Sequence, residues 1–385
     1  LLAEMRIRGK PPKLGALCRW VRDIDAVSGL AEQLDAAGPK RTPKQEELLV
    51  VLDAILRLTG PIDYTNGEGA KGPINPQKEW DLRHEEESRE VYASVLDRSI
   101  FTSMPADIPS KFRVIETTPA LQRKPPNLHP AVLYASRDDA ICLSTSPPKT
   151  SLFTHPIVPN LNFLKDVLSA EECTQIIATA ETIGFTPDAP IRAEGEESSV
   201  LAHNFYWVVD TTFCGKLWDR VKCFLPKEVA GKKARGLNRR FRVYRYVPGA
   251  EYRAHIGMFA DFNFENDTLT LSFADGAWPP SSIDEKTDAY VYDSSPPEAK
   301  QSSLFTFLIY LNDEFEGGET TFFLPSAREG CMNAYQVRPI QGSVALFPHG
   351  ETEGSLLHEG TGVRQGVKPS AKYVIRTDVL YDVDT

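Results

Sequence analysis

The sequence predicts a mainly β protein with flanking helices, an α+β chain whose C-terminal half is a jelly roll. Three observations predict it. Beyond Phe241, short runs of strand-forming residues alternate with Gly/Pro turns, as in a sandwich or barrel. One of these runs, Leu304–Leu311, is apolar at almost every position and so suits a strand covered on both faces. Helix start signals fall before Phe241, at Thr42, Ser169 and Asp210. Two units follow from this: a helical, loop-rich region over 1–150 with no assigned role, and a jelly-roll domain over 151–385.

The elements can be justified in order. Leu14 to Val27 is an apolar and basic helical run with Trp20 as a core anchor. Thr42 caps the next helix, Pro43 fits its first position and Gln45 completes a capping box, with Gly60 as its end. Leu48, Leu49, Leu52, Ile55 and Leu56 give that helix its apolar face. Residues 60–160 are rich in Pro, Gly, Asn and Ser and read as loops with short elements, among them a helix over Asp81–Leu96. Ser169-Ala-Glu-Glu172 is a second capping box, and Cys173, Ile176, Ile177, Ala180 and Ile183 follow at helical spacing up to Gly184. That helix should lie on the outside of the barrel. Asp210 caps a further helix over Thr211–Phe224. Strands are then expected at Phe241–Tyr246, Leu304–Leu311, Thr320–Leu324, Gln336–Arg338, Ser343–Phe347 and Lys372–Tyr381.

Composition narrows the function. The 385 residues are 41% hydrophobic and 25% charged, ordinary for a globular protein, and a net charge of -10 speaks against a general nucleic-acid binder. No apolar run reaches the length of a membrane span, so no membrane partner is expected. Six cysteines without a CxxC pair read as reduced thiols of an intracellular protein, cytoplasmic or nuclear. The first residues have no apolar signal core, and an opening on Leu1 rather than Met is read as a missing true start.

The chemistry lies in an ordered set of motifs. Tyr246-x-x-Gly249-x-x-Tyr252-x-x-His255 breaks a strand at Pro248-Gly249 and delivers a histidine at the far end of the next one. There follow Tyr310-Leu311-Asn312, Gly317-Gly318-Glu319-Thr320-Thr321-Phe322, Gly342 to Phe347, Leu357-His358-Glu359-Gly360, and then Lys368, Lys372 and Arg376. In this order the motifs resemble the 2-oxoglutarate and Fe(II)-dependent oxygenases of the prolyl 4-hydroxylase alpha-subunit type, from about Pro159 to Tyr381. The resemblance implies a double-stranded β-helix with its active site inside one end. It also implies His255 and His358 as two metal ligands, since two imidazoles and a carboxylate on one face of Fe(II) leave positions for 2-oxoglutarate and O2. Ascorbate would be an accessory reductant. The distal carboxylate of 2-oxoglutarate needs a buried cation. Lys372 fits the strand context, Lys368 fits the family spacing of ten residues after His358, and Arg376 is the third cation of that stretch. Tyr252 is placed to donate a hydrogen bond to the same carboxylate, while Tyr246 reads either as such a contact or as wall packing.

The sequence departs from the pattern at one place. The ligand carboxylate should stand two residues after His255, where Gly257 is found. The expected Asp-Gly-Ala-Trp-Pro occurs instead at Asp275–Pro279, after an insertion over 257–274. Asp275 is therefore taken as the third ligand and a catalytic residue with His255 and His358; Asp261 and Asp267 are nearer but lack that context. The insertion is either a natural loop at the barrel rim, which costs little closure entropy, or an unspliced intron. The codons of Gly257-Met258 and Ala274-Asp275 admit splice-site words.

His349 stands nine residues before His358, but no further Cys or carboxylate completes a closed zinc site around the pair. The function expected is hydroxylation of a protein or peptide side chain, proline first, with a small-molecule substrate as the variant. The alternative is a catalytically impaired jelly-roll binding module, because the His-x-Asp motif is interrupted.

Overall fold

The computed structural model describes residues 42–57, 59–65, 74–83, 90–123, 126–138, 140–191, 201–255, 261–263, 268–270, 278–284, 286–350, 352–366 and 369–383. The run over Leu14–Val27 lies outside the described residues.

The chain enters with helix α1 (Pro43–Leu56). Its capping box forms as the sequence requires: the Gln45 N–H donates to Thr42 Oγ1, and the Thr42 N–H to Gln45 Oε1 at 2.8 Å. The helix stops at Leu56 rather than at Gly60, because Thr59 turns back and donates both its N–H and its hydroxyl to the Leu56 carbonyl. Strand β1 (Ile74–Pro76) then runs parallel to a later strand. Of the helix expected over Asp81–Leu96, the described residues show α2 (Val91–Leu96), while Asp81–Arg83 are not helical and 84–89 lie outside the described residues. At Trp80 the backbone instead trades hydrogen bonds with Gln336 and Arg338, extending the edge of the sheet. The stretch expected to be loops also contributes β2 (Phe112–Thr118), β3 (Ala131–Ser136) and β4 (Ser151–Thr154), which extend one large sheet.

Strand β5 (Asn162–Lys165) leads to α3 (Ala170–Ile183), where the Ser169/Glu172 capping box forms in full. Glu172 also binds the Arg220 guanidinium at 2.8 Å, both side chains buried. After β6 (His203–Val208), α4 (Thr211–Val221) starts at Asp210, whose carboxylate accepts from the Phe213 N–H. It ends before the expected Phe224. The two helices pack Ile176, Ile177, Phe213 and Leu217 into a core with Phe241, Tyr373 and Ile375, on the outer side of the large sheet.

Most of the remaining strands wind between two sheets, with two hairpins standing apart as two-stranded sheets of their own. They are β7 (Glu228–Val229), β8 (Lys232–Leu237), β9 (Arg240–Tyr246), β10 (Tyr252–His255), the β11 and β12 hairpin (Asp261–Asn263 and Thr268–Thr270) and the β13 and β14 hairpin (Ser282–Ile283 and Tyr290–Val291). Then come β15 (Gln301–Tyr310), β16 (Thr320–Pro325), β17 (Met332–Val337), β18 (Val344–Pro348), β19 (Leu357–Gly360) and β20 (Lys372–Asp382). One sheet carries the order β9-β20-β15-β18, the other β10-β19-β16-β17. Successive strands thus cross from sheet to sheet, which is the double winding of a jelly roll. A second core fills the space between, with Tyr246, Tyr310 and Val374 from one sheet against Phe322, Leu324 and Tyr335 from the other. Along β20 the two cores alternate: Tyr373 and Ile375 face out, Lys372, Val374 and Arg376 face in.

Candidate active site

The space between the sheets opens into a cavity lined by Tyr246, Tyr252, Thr320, His358, Lys372 and Arg376, among others. Its empty space, open mouth included, is about 520 Å³.

Strands β10 and β19 pair antiparallel with His255 directly opposite His358 and Tyr252 opposite Gly360. Directly paired positions share a face of the sheet. Two residues 103 apart in number (358 − 255) thus become neighbours in register because β10 and β19 are adjacent strands of the smaller sheet.

The His358 ring is buried between Phe322, stacked at 5.7 Å, and Phe347, edge-on at 4.8 Å. Its Nδ1–H donates to the Leu356 carbonyl at 2.9 Å. That bond fixes the tautomer and leaves the lone pair on Nε2, the device by which a ligating histidine is oriented. The donor chemistry at this position therefore fits a metal. Asp275, Lys368 and Asp267 lie outside the described residues, as does most of the insertion. Asp261 stands in the β11 and β12 hairpin, paired with Thr270. Among the described residues no group of three or more His, Cys, Asp or Glu side chains is placed to hold a metal; Asp275 is not among them.

At the other side of the cavity Lys372 is buried, and its Nζ donates to the Gly318 carbonyl at 2.6 Å. The rings of Tyr246 and Tyr310 cover it, their centroids 5.3 and 5.7 Å from Nζ. Burial pushes the Lys372 ammonium down to about 7, partly opposed by the charge of Glu319. Burial also pushes the phenols of Tyr246 and Tyr252 up, so both stay neutral donors. Tyr310 shares a 2.7 Å hydrogen bond with the Thr320 hydroxyl, on the same wall.

Arg376 belongs to a separate buried cluster, which reaches the cavity from below. Its Nη2 is 3.7 Å from Asp378, which also takes a 3.0 Å bond from Arg242. Burial first, and then the charge of Arg242, lower the Arg376 guanidinium from its ordinary range. Asp378 lies 3.6 Å from His349, whose two ring nitrogens meet Ser303 at 2.9 Å and Thr306 at 2.8 Å. His349 is thus a satisfied core histidine. His155 is another: its Nδ1 accepts from the N–H groups of Ile157 and Val158, and Trp80 packs on its ring. Trp278 packs beneath the guanidinium of Arg242, 4.5 Å from its ring centroid.

Reasoning from sequence placed Asn312 in a motif but gave it no role. Its side chain donates to the Ala371 carbonyl and accepts from the Tyr373 N–H, both at 2.7 Å, clasping the backbone on either side of Lys372. The signal was a buried-type run, Leu304–Leu311, closed by an amide. Glu319, named from sequence only as a motif residue, and Arg338, not singled out, both act electrostatically on Lys372.

No family model and no curated protein matches the chain. Solved structures do resemble it. A viral collagen prolyl hydroxylase from Paramecium Bursaria Chlorella virus-1, in complex with 2OG, is 18% identical at a TM-score of 0.33, over 58% of this chain and 97% of that one. A Pseudomonas putida prolyl-4-hydroxylase is 14% identical at a TM-score of 0.31, over 60% of this chain and 92% of that one. HygX from Streptomyces hygroscopicus, with nickel and 2-oxoglutarate bound, is 12% identical at a TM-score of 0.32, over 58% and 83%. Among the described residues no helix is long and apolar enough to cross a membrane.

Proposed function

We propose that the chain is an Fe(II)- and 2-oxoglutarate-dependent oxygenase of the prolyl 4-hydroxylase type that hydroxylates a protein or peptide side chain, proline first. The observation that carries this reading is the register of His255 against His358, a residue that lines a cavity which also buries Lys372. His255, His358 and Asp275 would hold the metal. When bound, iron with 2-oxoglutarate and O2 supplies the oxidising power that a C–H bond requires.

The remaining roles belong to the chain's own residues. Lys372 pairs with the distal carboxylate of 2-oxoglutarate. Tyr246 and Tyr310 keep water from the ammonium, so the pairing takes place in low dielectric, where it is strongest. An arriving carboxylate also restores the proton affinity that burial takes from Lys372. His358 is held in its ligating tautomer by the Leu356 carbonyl. Arg376 stays with Asp378 and Arg242 and shapes the cavity floor.

The test is release of succinate from 2-oxoglutarate by the purified chain, with and without Fe(II), and with proline-containing peptides or free amino acids as acceptors. Succinate formed only with Fe(II), and raised by a peptide, is the expected result. Tight peptide binding without turnover at any iron concentration would establish the binding-module alternative instead.

A further inference from the structure

Lys372 is held by groups that take no part in the chemistry just described. Asn312 fixes the backbone on both sides of it. The Gly318 carbonyl takes its ammonium. The next residue along is Glu319, 3% exposed. Its Oε1 is 3.4 Å from Arg338 Nη1, while Oε2 has no hydrogen-bond partner among the described residues. Arg338 compensates this carboxylate only in part, because its Nη2 is committed to the Phe315 carbonyl at 2.5 Å. A buried carboxylate with an unsatisfied oxygen is costly and calls for a reason.

The reason lies in the groups around Lys372. Tyr246 on β9 and Tyr310 on β15 face it, and both are neutral. Tyr252 on β10, His358 and Glu359 on β19, and Arg376 on β20 itself line the same cavity. Burial works against its charge, Glu319 supports it and Arg338 opposes it. Glu79 feels the charges of both Arg338 and Glu319.

We propose that Glu319 is a positioning residue: its buried carboxylate, on the residue next to the Gly318 carbonyl that accepts from Lys372, holds the Lys372 ammonium in place to receive a dicarboxylate. The identity of that ligand rests on the proposed function; the coupling of Glu319 to Lys372 does not.

Two measurements on the full chain test this. The first is reductive methylation of Lys372 with formaldehyde and a borane, followed against pH by peptide mass. The second is calorimetric binding of 2-oxoglutarate at about pH 6 and about pH 8. The labelling midpoint is expected near the Lys372 value of about 7 in the native sequence. It should fall by about one unit in Glu319→Gln and rise in Arg338→Gln, since removing an opposite or a like charge moves a titration in opposite directions. Glu319→Gln should bind 2-oxoglutarate within about twofold of the native chain at the lower pH and about tenfold more weakly at the higher. Lys372→Arg in the same background should recover binding at the higher pH, because a guanidinium keeps its proton. Midpoints that do not move in either variant overturn the proposal. So does a loss of binding equal at both pH values, which is what a merely structural role produces. Should the native chain bind no 2-oxoglutarate while the midpoints move as stated, the oxygenase reading fails and the coupling stands.

Discussion

Gly318→Ala tests whether the glycine pair of the Gly-Gly-Glu-Thr segment exists to bring a carbonyl onto Lys372. Gly318 sits at φ +68°, in the left-handed region. An L side chain there costs about 1–2 kcal/mol in the backbone alone. Its Cβ would stand 2.7 Å from Phe315 Cε2, 3.0 Å from Cδ2 and 3.2 Å from Lys372 Cδ. Phe315 is buried and packed in the inner core, so the ring cannot swing clear. Overpacking of this kind adds about 1–3 kcal/mol, for a total of about 2–5. Gly249 is the control. It has φ +83° but nothing within 4 Å of an added Cβ, so Gly249→Ala should lose only the backbone cost of about 1–2 kcal/mol. Urea unfolding of both variants measures the difference, and 2-oxoglutarate binding should weaken in Gly318→Ala alone. Equal stability losses in the two variants would refute the packing argument. Unchanged ligand binding in Gly318→Ala would refute the link to Lys372.

Four further outcomes are expected. His255→Ala and His358→Ala should each lose stoichiometric Fe(II) while circular dichroism stays native; a His358→Ala chain with normal iron content removes that histidine from the site. Lys372→Ala should raise the 2-oxoglutarate concentration needed for turnover by the equivalent of about 3–5 kcal/mol, the cost of breaking a buried charge pair, with Lys368→Ala close to the native value; the reverse order in a kinetic titration would favour Lys368. Asp275→Ala should abolish iron binding where Asp261→Ala does not, and deletion of 257–274, which joins Ile256 to Asp275, should keep iron-dependent activity; loss of folding on deletion would show that the segment is integral to the barrel. Burial holds His155 down to about 4 against an ordinary 6.5, so its contribution to stability is complete above 6.5 and lost as pH falls towards 4. That loss is about 3 kcal/mol, read as a urea-stability slope between these pH values that His155→Gln should flatten.

The inward-facing positions of β20 could be read in the chain because a strand covered on both faces betrays its inner positions. In Lys372-Tyr-Val-Ile-Arg376-Thr-Asp378, a solvated strand would have no reason to keep Tyr373 and Ile375 apolar between charged neighbours. The alternation says that one face meets a core and the other a polar interior. The capping boxes at Thr42 and Ser169 were legible for a local reason: each is closed by residues three apart. Where such local signals were weak, the prediction erred. Phe112–Thr118 and Ala131–Ser136 lie among Pro-rich turns, and they become strands only because β6 offers an edge to pair with.

By itself, then, the sequence determined the jelly-roll class, most of its strands, and the residue types able to bind a metal and an anion. Tertiary structure alone decided that His255 falls opposite His358, because strand register depends on the pairing of β10 with β19 and not on the spacing between them. It decided that β1 and the backbone at Trp80 edge the smaller sheet, since a strand's partner is chosen by which edge remains open. It also decided that Asn312 and Gly318 meet Lys372 and its backbone, because a buried ammonium takes its partners from whatever the fold packs against it, and these come from 54 to 60 residues away along the chain (372 − 318 and 372 − 312).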